Sequence, residues 1–392
     1  MEKLIVKNFG PIKEAEIELT KYVVFIGDTS TGKSVLAKLI SIFRNANFIF
    51  HNQGVKEFKE LLIYYNIDFD FEKSSFDYYF ENYRFNYVEN AFNLLIADNI
   101  IDERNKLNLD RDEDIVELIT KVNNRIHIEE DSVEKKKLIE SIEKFLFKIK
   151  STPLKQTVYF PAERSLISII GTSISGLWAN NIALPSYFKN FSANYEIARK
   201  YKLNKQYSDF GFEYKFENGE DKIVSGGQQI LLNQASSGMQ SLIPLLLVFD
   251  FFLNEESYKL IKSILIEEPE LNLFPKRQKA LMDYIVRGIN KSDDNIVVTT
   301  HSPYILSVLD TLILAKNTFN EHPDLKEEIN AIVPESNWID YNDISVYEVR
   351  NDGKVYSIKN EEFKSIDTNA IDGASDIISE EFDKLTELRY AQ

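Results

Sequence analysis

Tyr22-Val23-Val24-Phe25-Ile26-Gly27-Asp28-Thr29-Ser30-Thr31-Gly32-Lys33-Ser34-Val35-Leu36-Ala37-Lys38-Leu39-Ile40-Ser41-Ile42-Phe43 is the stretch that decides the fold. Residues 22–26 form an apolar run of β-branched and aromatic side chains, the pattern of a buried strand. Gly27 to Ser34 read G-x-x-x-x-G-K-S, and the apolar run from Val35 to Phe43 reads as a helix. Strand, glycine-rich turn and helix form the context in which this motif binds phosphate. The glycines let the backbone curl so that several N–H groups face one anion, and the helix N-terminus adds partial positive charge. The expected phosphate cradle is therefore Gly27, Asp28, Thr29, Ser30, Thr31, Gly32, Lys33, Ser34 and Val35. Lys33 is expected to reach the β- and γ-phosphates of ATP, and the Ser34 hydroxyl to ligate Mg²⁺.

Working outward, Leu4-Ile5-Val6 and Ala15-Glu16-Ile17-Glu18-Leu19 read as two further strands, joined by a turn at Phe9-Gly10-Pro11-Ile12. Within 51–155 no glycine follows Gly54, and no proline appears until Pro153. Val55 to Tyr65, Phe76 to Leu95, Asp112 to Asn123 and Ser132 to Lys150 are all read as helical, which makes 51–155 an α-helical insertion. Thr157-Val158-Tyr159-Phe160 signals a strand, and 166–205 look mostly helical. Gly211 to Val224 reads as a hairpin with Asn218-Gly219 at its turn. A helix is expected from Gln240 to Phe252. Ser263-Ile264-Leu265-Ile266 and Asn295-Ile296-Val297-Val298-Thr299 read as buried strands separated by a helix from Lys276 to Ile289. That alternation implies a parallel sheet with crossover helices. A second hairpin, Ile344 to Ile358, and a polar helix from Ala374 to Leu388 close the chain.

The 392 residues carry 46 Lys and Arg against 62 Asp and Glu, a formal charge of −16. Such a surface repels nucleic-acid phosphate, although a local basic groove is compatible with it. With 44% hydrophobic and 28% charged residues the chain is globular. The absence of cysteine excludes disulfides, thiolate zinc sites and a cysteine nucleophile. No apolar run matches a membrane span and no signal-peptide pattern opens the chain, so a cytoplasmic protein without membrane contact is expected. Twenty Tyr and 27 Phe exceed what one core needs, and interfaces or large helical lobes are the places expected to take them.

Ile264-Leu265-Ile266-Glu267-Glu268-Pro269-Glu270 is an apolar strand that ends in acids. In phosphate-loop ATPases one acid here faces the metal and the next polarises the attacking water. Glu267 is assigned to Mg²⁺ and Glu268 to general-base catalysis, with Glu270 structural or helix-capping. Val297-Val298-Thr299-Thr300-His301-Ser302-Pro303 is a second strand, ending in a histidine placed to sense the γ-phosphate. Two loops compete as the element that contacts ATP from a second subunit. Ser225-Gly226-Gly227-Gln228 follows a strand and precedes a strand-like run. Ser236-Ser237-Gly238-Met239-Gln240 opens a strongly apolar helix and lies nearer to Glu267 in the chain, so it is preferred, with Ser236, Ser237, Gly238 and Gln240 as the contacts.

These four ordered motifs resemble the ABC-type ATPases of the overcoming-lysogenization-defect branch, relatives of the RecF and structural-maintenance-of-chromosomes (SMC) ATPases. Val158-Tyr159-Phe160-Pro161-Ala162-Glu163-Arg164 is similar to a segment of the same proteins, in the place of the glutamine loop. The resemblance implies an α/β P-loop fold with a mixed sheet, antiparallel N-terminal strands and a large α-helical insertion. It implies this order: 1–50, the N-terminal part of the ATPase core; 51–155, the insertion; 156–315, the rest of the core; 316–392, an extension of hairpin and helix. It further implies a homodimer or higher-order homo-oligomer, in which ATP on Lys33 and Ser34 of one subunit is covered by Ser237 and Gly238 of another. Glu268 would hydrolyse it. Such ATPases serve bacterial defence against phage, often by controlling a nuclease. Nucleases of this branch, and of Gabija, carry a TOPRIM domain with a strand-end Glu and a later Asp-x-Asp. Asp110-Arg111-Asp112 lies upstream in the insertion and nothing after His301 matches, so no nuclease activity is expected here. The chain resembles instead the ATPase subunits of Septu or PARIS, whose effector, a nuclease or toxin, is a separate polypeptide. The alternatives are a RecF-like ATPase that clamps DNA and a transporter ATPase. The acidic balance weighs against the first, and Glu267 in place of the usual Asp against the second.

Overall fold

A six-stranded sheet in the order β15-β14-β3-β13-β12-β7 forms the centre of the protein, in a computed structural model that describes residues 2–45, 55–80, 83–88, 91–96, 156–170, 184–201, 203–254, 261–367 and 373–390. Its strands are β3 (Tyr22–Ile26), β7 (Gln156–Phe160), β12 (Lys262–Glu267), β13 (Asn295–Thr300), β14 (Ile344–Val349) and β15 (Val355–Ser357). All pair in parallel except β15, which runs antiparallel at the edge. Every residue of β3 and β12 is buried, as continuous apolar strands covered on both faces should be. The register pairs Glu267 with Thr299 and Ile26 with Thr300, so the C-terminal ends of β12, β13 and β3 lie level.

A second, antiparallel sheet has the order β2-β1-β4-β5-β6. It comprises β1 (Glu2–Phe9), β2 (Ile12–Glu18), β4 (Ser75–Phe80), β5 (Tyr83–Val88) and β6 (Ala91–Ile96). Between the two sheets runs α1 (Lys33–Arg44), buried at every position but Ser34. Phe43 on α1 lies 5.7 Å from the Tyr78 ring and 5.2 Å from that of Phe85. Phe58 on α2 (Val55–Tyr64) meets Phe76 at 5.3 Å. Phe43, Phe58, Phe76, Tyr78 and Phe85 thus form an internal aromatic cluster.

The stretch from Phe76 to Leu95, expected to be helical, is instead a meander of three strands. Phe76, Tyr78, Phe85 and Tyr87 are buried at alternate positions, a period of two. Aromatic residues favour a pleated, half-buried surface, and the lack of Gly and Pro was a poor guide to helix. Val55–Tyr64 is helical as expected, whereas 112–123 and 132–150 lie outside the described residues. The segment after 316 also contributes more than an extension, because β14 is a strand of the central sheet and pairs directly with β3.

A lobe is built from β8 (Asn204–Tyr207), β9 (Phe212–Glu217), β10 (Glu220–Ser225) and β11 (Gln228–Leu231), packed with α3 (Ser165–Ile170), α4 (Ser186–Tyr201) and α5 (Ser237–Asn254). The turn between β9 and β10 is Asn218-Gly219, with φ 54° and 80°, as the dipeptide implied. Among the described residues no helix is long and apolar enough to cross a membrane.

One buried ion pair ties the two sheets to α1. Arg44, with no exposed surface, donates from Nε to Glu2 Oε1 at 2.6 Å and from Nη2 to Glu2 Oε2 at 2.9 Å. Its Nη1 donates to Ser263 Oγ on β12 at 3.1 Å, and the Tyr78 hydroxyl donates to Glu2 Oε1 at 2.8 Å. Removing one partner of such a pair leaves a buried charge, at a cost of about 3–5 kcal/mol. Arg44→Ala should therefore lower the urea midpoint sharply. Glu2→Leu combined with Arg44→Met should lose much less, because no charge is stranded. Equal losses in the two proteins would show that pairing is not what Arg44 contributes.

Candidate nucleotide site

The P-loop leaves β3 through Gly27 and enters α1 through Gly32, with φ of 152° and 106°. A Cβ on Gly27 would collide with the carbonyl oxygen of Val349, and one on Gly32 would come within 2.5 Å of Ile12 Cδ1. Both positions need glycine for backbone conformation and for close approach. The Asp28 carboxylate accepts from Thr29 N–H at 2.6 Å, and this bond, with the Asn351 side chain, holds its pKa below the usual value. Asn351 lies between β14 and β15, so the C-terminal hairpin flanks the loop.

Lys33 folds back into its own loop. Its ammonium donates to the carbonyls of Gly27 at 2.9 Å and Asp28 at 2.7 Å, and lies 3.4 Å from His301 Nδ1. Burial pulls its pKa down to about 8, against the opposing pull of Glu268, Asp28 and Glu270. With Nδ1 facing an ammonium, the neutral imidazole carries its proton on Nε2. That nitrogen lies 3.4 Å from Glu268 Oε1. Lys33, His301 and Glu268, expected at one site, are thus brought together in that order.

Glu268 has φ 43°, in the left-handed region rare for such a residue, and its N–H donates to Thr299 O at 2.8 Å. The backbone turns out of β12 there, which separates the two adjacent acids. Glu267 stays buried at the strand end, whereas the Glu268 side chain is 30% exposed. Glu270 accepts from Thr300 Oγ1 and from His301 N–H, both at 2.7 Å, so it fixes the histidine loop. Among the described residues, Glu267 Oε1 is buried without a hydrogen-bond partner. A hydroxyl at the first turn of α1 (Ser34) and an unpartnered carboxylate oxygen suit Mg²⁺, which takes few protein ligands beside phosphates. No cluster of three or more His, Asp or Glu forms a protein-only cage among the described residues.

Ser225-Gly226-Gly227-Gln228 forms the hairpin turn between β10 and β11, with both glycines at positive φ. It leads into a strand and offers no helix N-terminus. Ser236 and Ser237, by contrast, are exposed at the start of the 18-residue α5, and Ser236 O accepts from Gln240 N–H at 3.0 Å. A Cβ on Gly238 would meet Asn272 O at 2.8 Å, so this turn packs directly on the segment after Glu270. Gln240 lies in the first turn of α5. Its Nε2 donates to Asn233 O and Ala235 O, bracing the loop from within the same chain.

Arg164, which sequence reasoning noted only as part of a segment, is wholly buried at the centre of this site. It donates to main-chain carbonyls of Glu267 at 2.7 Å and Glu268 at 2.6 Å, and to Ser241 O on α5 at 3.2 Å. Burial pulls its pKa down to about 10, so it stays protonated at neutral pH. The one signal in the sequence was an arginine three residues after Pro161, the proline that stops β7.

A mixed α/β sheet with a P-loop, an acidic strand end and a strand-end histidine along one edge defines an ABC-type P-loop ATPase. The chain matches the AAA ATPase domain family (AAA_15) over residues 1–306 and belongs to it. No curated protein matches the chain significantly. Among solved structures it is similar to an SMC head bound to the C-terminal winged-helix domain of ScpA, at 15% identity and a TM-score of 0.38. That match covers 92% of this chain and 98% of the other. It is likewise similar to the SMC head from Pyrococcus furiosus bound to the C-terminal domain of ScpA, at 14% identity and a TM-score of 0.37. That match covers 97% of this chain and 99% of the other. The SMC head domain from Thermotoga maritima gives 12% identity and a TM-score of 0.37, over 78% and 90%.

The depressed Lys33 pKa gives ATP binding a pH dependence with a definite sign. Binding polyphosphate requires the ammonium form. Below pH 8 that form is already present in the free protein, whereas above it the proton must be taken up on binding. ATP affinity should therefore weaken as pH rises through about 8, with proton uptake seen by calorimetry in buffers of different ionisation heat. A flat profile from pH 7 to pH 9.5 would contradict this assignment. Lys33→Ala should lose nucleotide binding throughout.

Proposed function

We propose that this protein binds and hydrolyses ATP between two copies of itself, and that the ATP-gated dimer is the regulatory subunit of an anti-phage defence system. The observation that carries the first half is the division of the site. Lys33, Ser34, Glu267, Glu268 and His301 gather at one sheet edge, while Ser236 and Ser237 stand exposed at the N-terminus of α5. Neither serine hydroxyl has a hydrogen-bond partner among the described residues. An exposed helix N-terminus with free hydroxyls suits the γ-phosphate of a nucleotide held by another subunit.

In this reading ATP acts as the adhesive of the interface. The Lys33 ammonium leaves the carbonyls of Gly27 and Asp28 and donates to the phosphates, and His301 follows the γ-phosphate. Glu268 takes the proton of the attacking water. Ser34 and Glu267 would hold Mg²⁺, which would supply neutralisation of phosphate charge. Hydrolysis then loosens the dimer. The defence role is supported by the four-motif resemblance, and control of a separate nuclease or toxin fits the same resemblance.

Glu268→Gln should bind ATP, turn it over at least about 100-fold more slowly and accumulate dimers on size exclusion. Normal turnover would place the base elsewhere. Ser237→Arg should lose hydrolysis alone, yet regain roughly one working site when mixed with Lys33→Ala, as a shared site requires. If Ser225→Arg behaves this way instead, the other loop is the contact. In cells, Lys33→Ala should abolish protection from phage conferred by this gene with its neighbours. ATPase activity that requires DNA would favour a DNA clamp instead.

A further inference from the structure

The guanidinium of Arg164 holds carbonyls from three separate segments. Nη1 donates to Pro161 O at 3.2 Å and Glu267 O at 2.7 Å. Nη2 donates to Glu268 O at 2.6 Å and lies 3.4 Å from Pro269 O, and Nε donates to Ser241 O at 3.2 Å. All its hydrogen-bond acceptors are main-chain oxygens, though Glu267, Glu268 and Glu270 lie close enough to favour its charge. A planar fork with donors in fixed directions sets the relative positions of whatever it binds, which an ammonium on a flexible stem does not. Such bonds are charge-assisted and, in a dry interior, costly to break.

The segments it joins are the end of β7, the peptide that carries Glu268 out of β12, and the first turns of α5. The grip on α5 is doubled. Pro244 lies inside α5 and has no N–H for the carbonyl of Gln240, four residues earlier. The Ser168 hydroxyl on α3 donates to that carbonyl at 2.7 Å. Arg164 and Ser168, four residues apart, thus hold the adjacent carbonyls of Ser241 and Gln240. A shift of α5 relative to β12 must either carry the Glu268 peptide with it or break buried hydrogen bonds. That peptide sits at φ 43°, a conformation that persists only when its surroundings hold it.

We propose that Arg164 is a positioning residue that couples the exposed N-terminus of α5 to the carboxylate of Glu268. Engagement of Ser236 and Ser237 then sets the geometry of the catalytic acid in the same subunit. The inference rests on the reading of Glu268 as general base, and it makes Arg164 matter for turnover and not for nucleotide affinity.

The test compares Arg164→Lys and Arg164→Gln, alone and with Glu268→Gln, after thermal melting has shown which proteins fold. ATP affinity is read with a fluorescent ATP analogue and turnover by phosphate release. Arg164→Lys, which keeps the buried charge, should lower kcat roughly 10–100-fold while affinity stays within about 3-fold of wild type. With Glu268→Gln already present, adding Arg164→Lys should slow residual turnover by no more than about 2-fold, because Arg164 acts through that carboxylate. Multiplicative losses, or affinity falling in step with kcat, would overturn the coupling and leave Arg164 a general structural residue. Unchanged kcat in Arg164→Lys would also overturn it. A wild-type protein without ATPase activity would instead overturn the reading of Glu268 itself.

Discussion

The register of three adjacent parallel strands is the constraint on which the site depends. Glu267 pairs with Thr299, and Thr300 pairs with Ile26, so β12, β13 and β3 release their chains at one level. Ligand sites of open α/β sheets lie at this carboxyl edge because loops and helix N-termini converge there. Side chains alternate between faces along a strand, so a slip of one residue in β12 would exchange Glu267 and Glu268. The left-handed backbone at Glu268 marks where the ladder ends and the second acid is free to face His301.

The edge is closed by segments far apart in sequence. Ile12 of the first hairpin packs over Gly32, and Val349 of β14 lies against Gly27. Gly353 joins the two hairpins, because its carbonyl accepts from Lys13 N–H at 2.8 Å and Glu14 N–H at 3.2 Å. The C-terminal hairpin is therefore a wall of the P-loop. Its proximity leaves no room for a side chain at Gly27, a restriction additional to the turn geometry of the loop.

Two buried cations serve this acidic edge in one manner. Lys33 and Arg164 both bond main-chain carbonyls and leave the carboxylates of Glu267 and Glu268 outside any direct ion pair with them. A carboxylate locked against a guanidinium would be a weaker metal ligand and a poorer base. Carbonyl acceptors satisfy the cations while the acids stay available. Arg44 shows the opposite arrangement, a closed bidentate pair with Glu2, at a place that only holds structure together.

The P-loop, the acidic strand end, the histidine strand and the helix after Ser236 were legible in the sequence. Each is a local pattern whose physics is complete within about ten residues: apolar strands, glycines at positive φ, a helix N-terminus. The helical reading of Phe76–Leu95 failed because aromatic runs without Gly or Pro satisfy two periods, and pairing with β1 decides between them. The place of β14 beside β3, and the role of Gln240 as a brace, were likewise invisible, since both depend on partners remote in the chain. Arg164 is the clearest case. By itself the sequence determined the P-loop, the acidic strand end and the histidine strand, and their order along the chain. Only the tertiary structure decided that one buried guanidinium ties the end of β7, the Glu268 peptide and the first turns of α5 together, because its partners are main-chain carbonyls, which no side-chain pattern records.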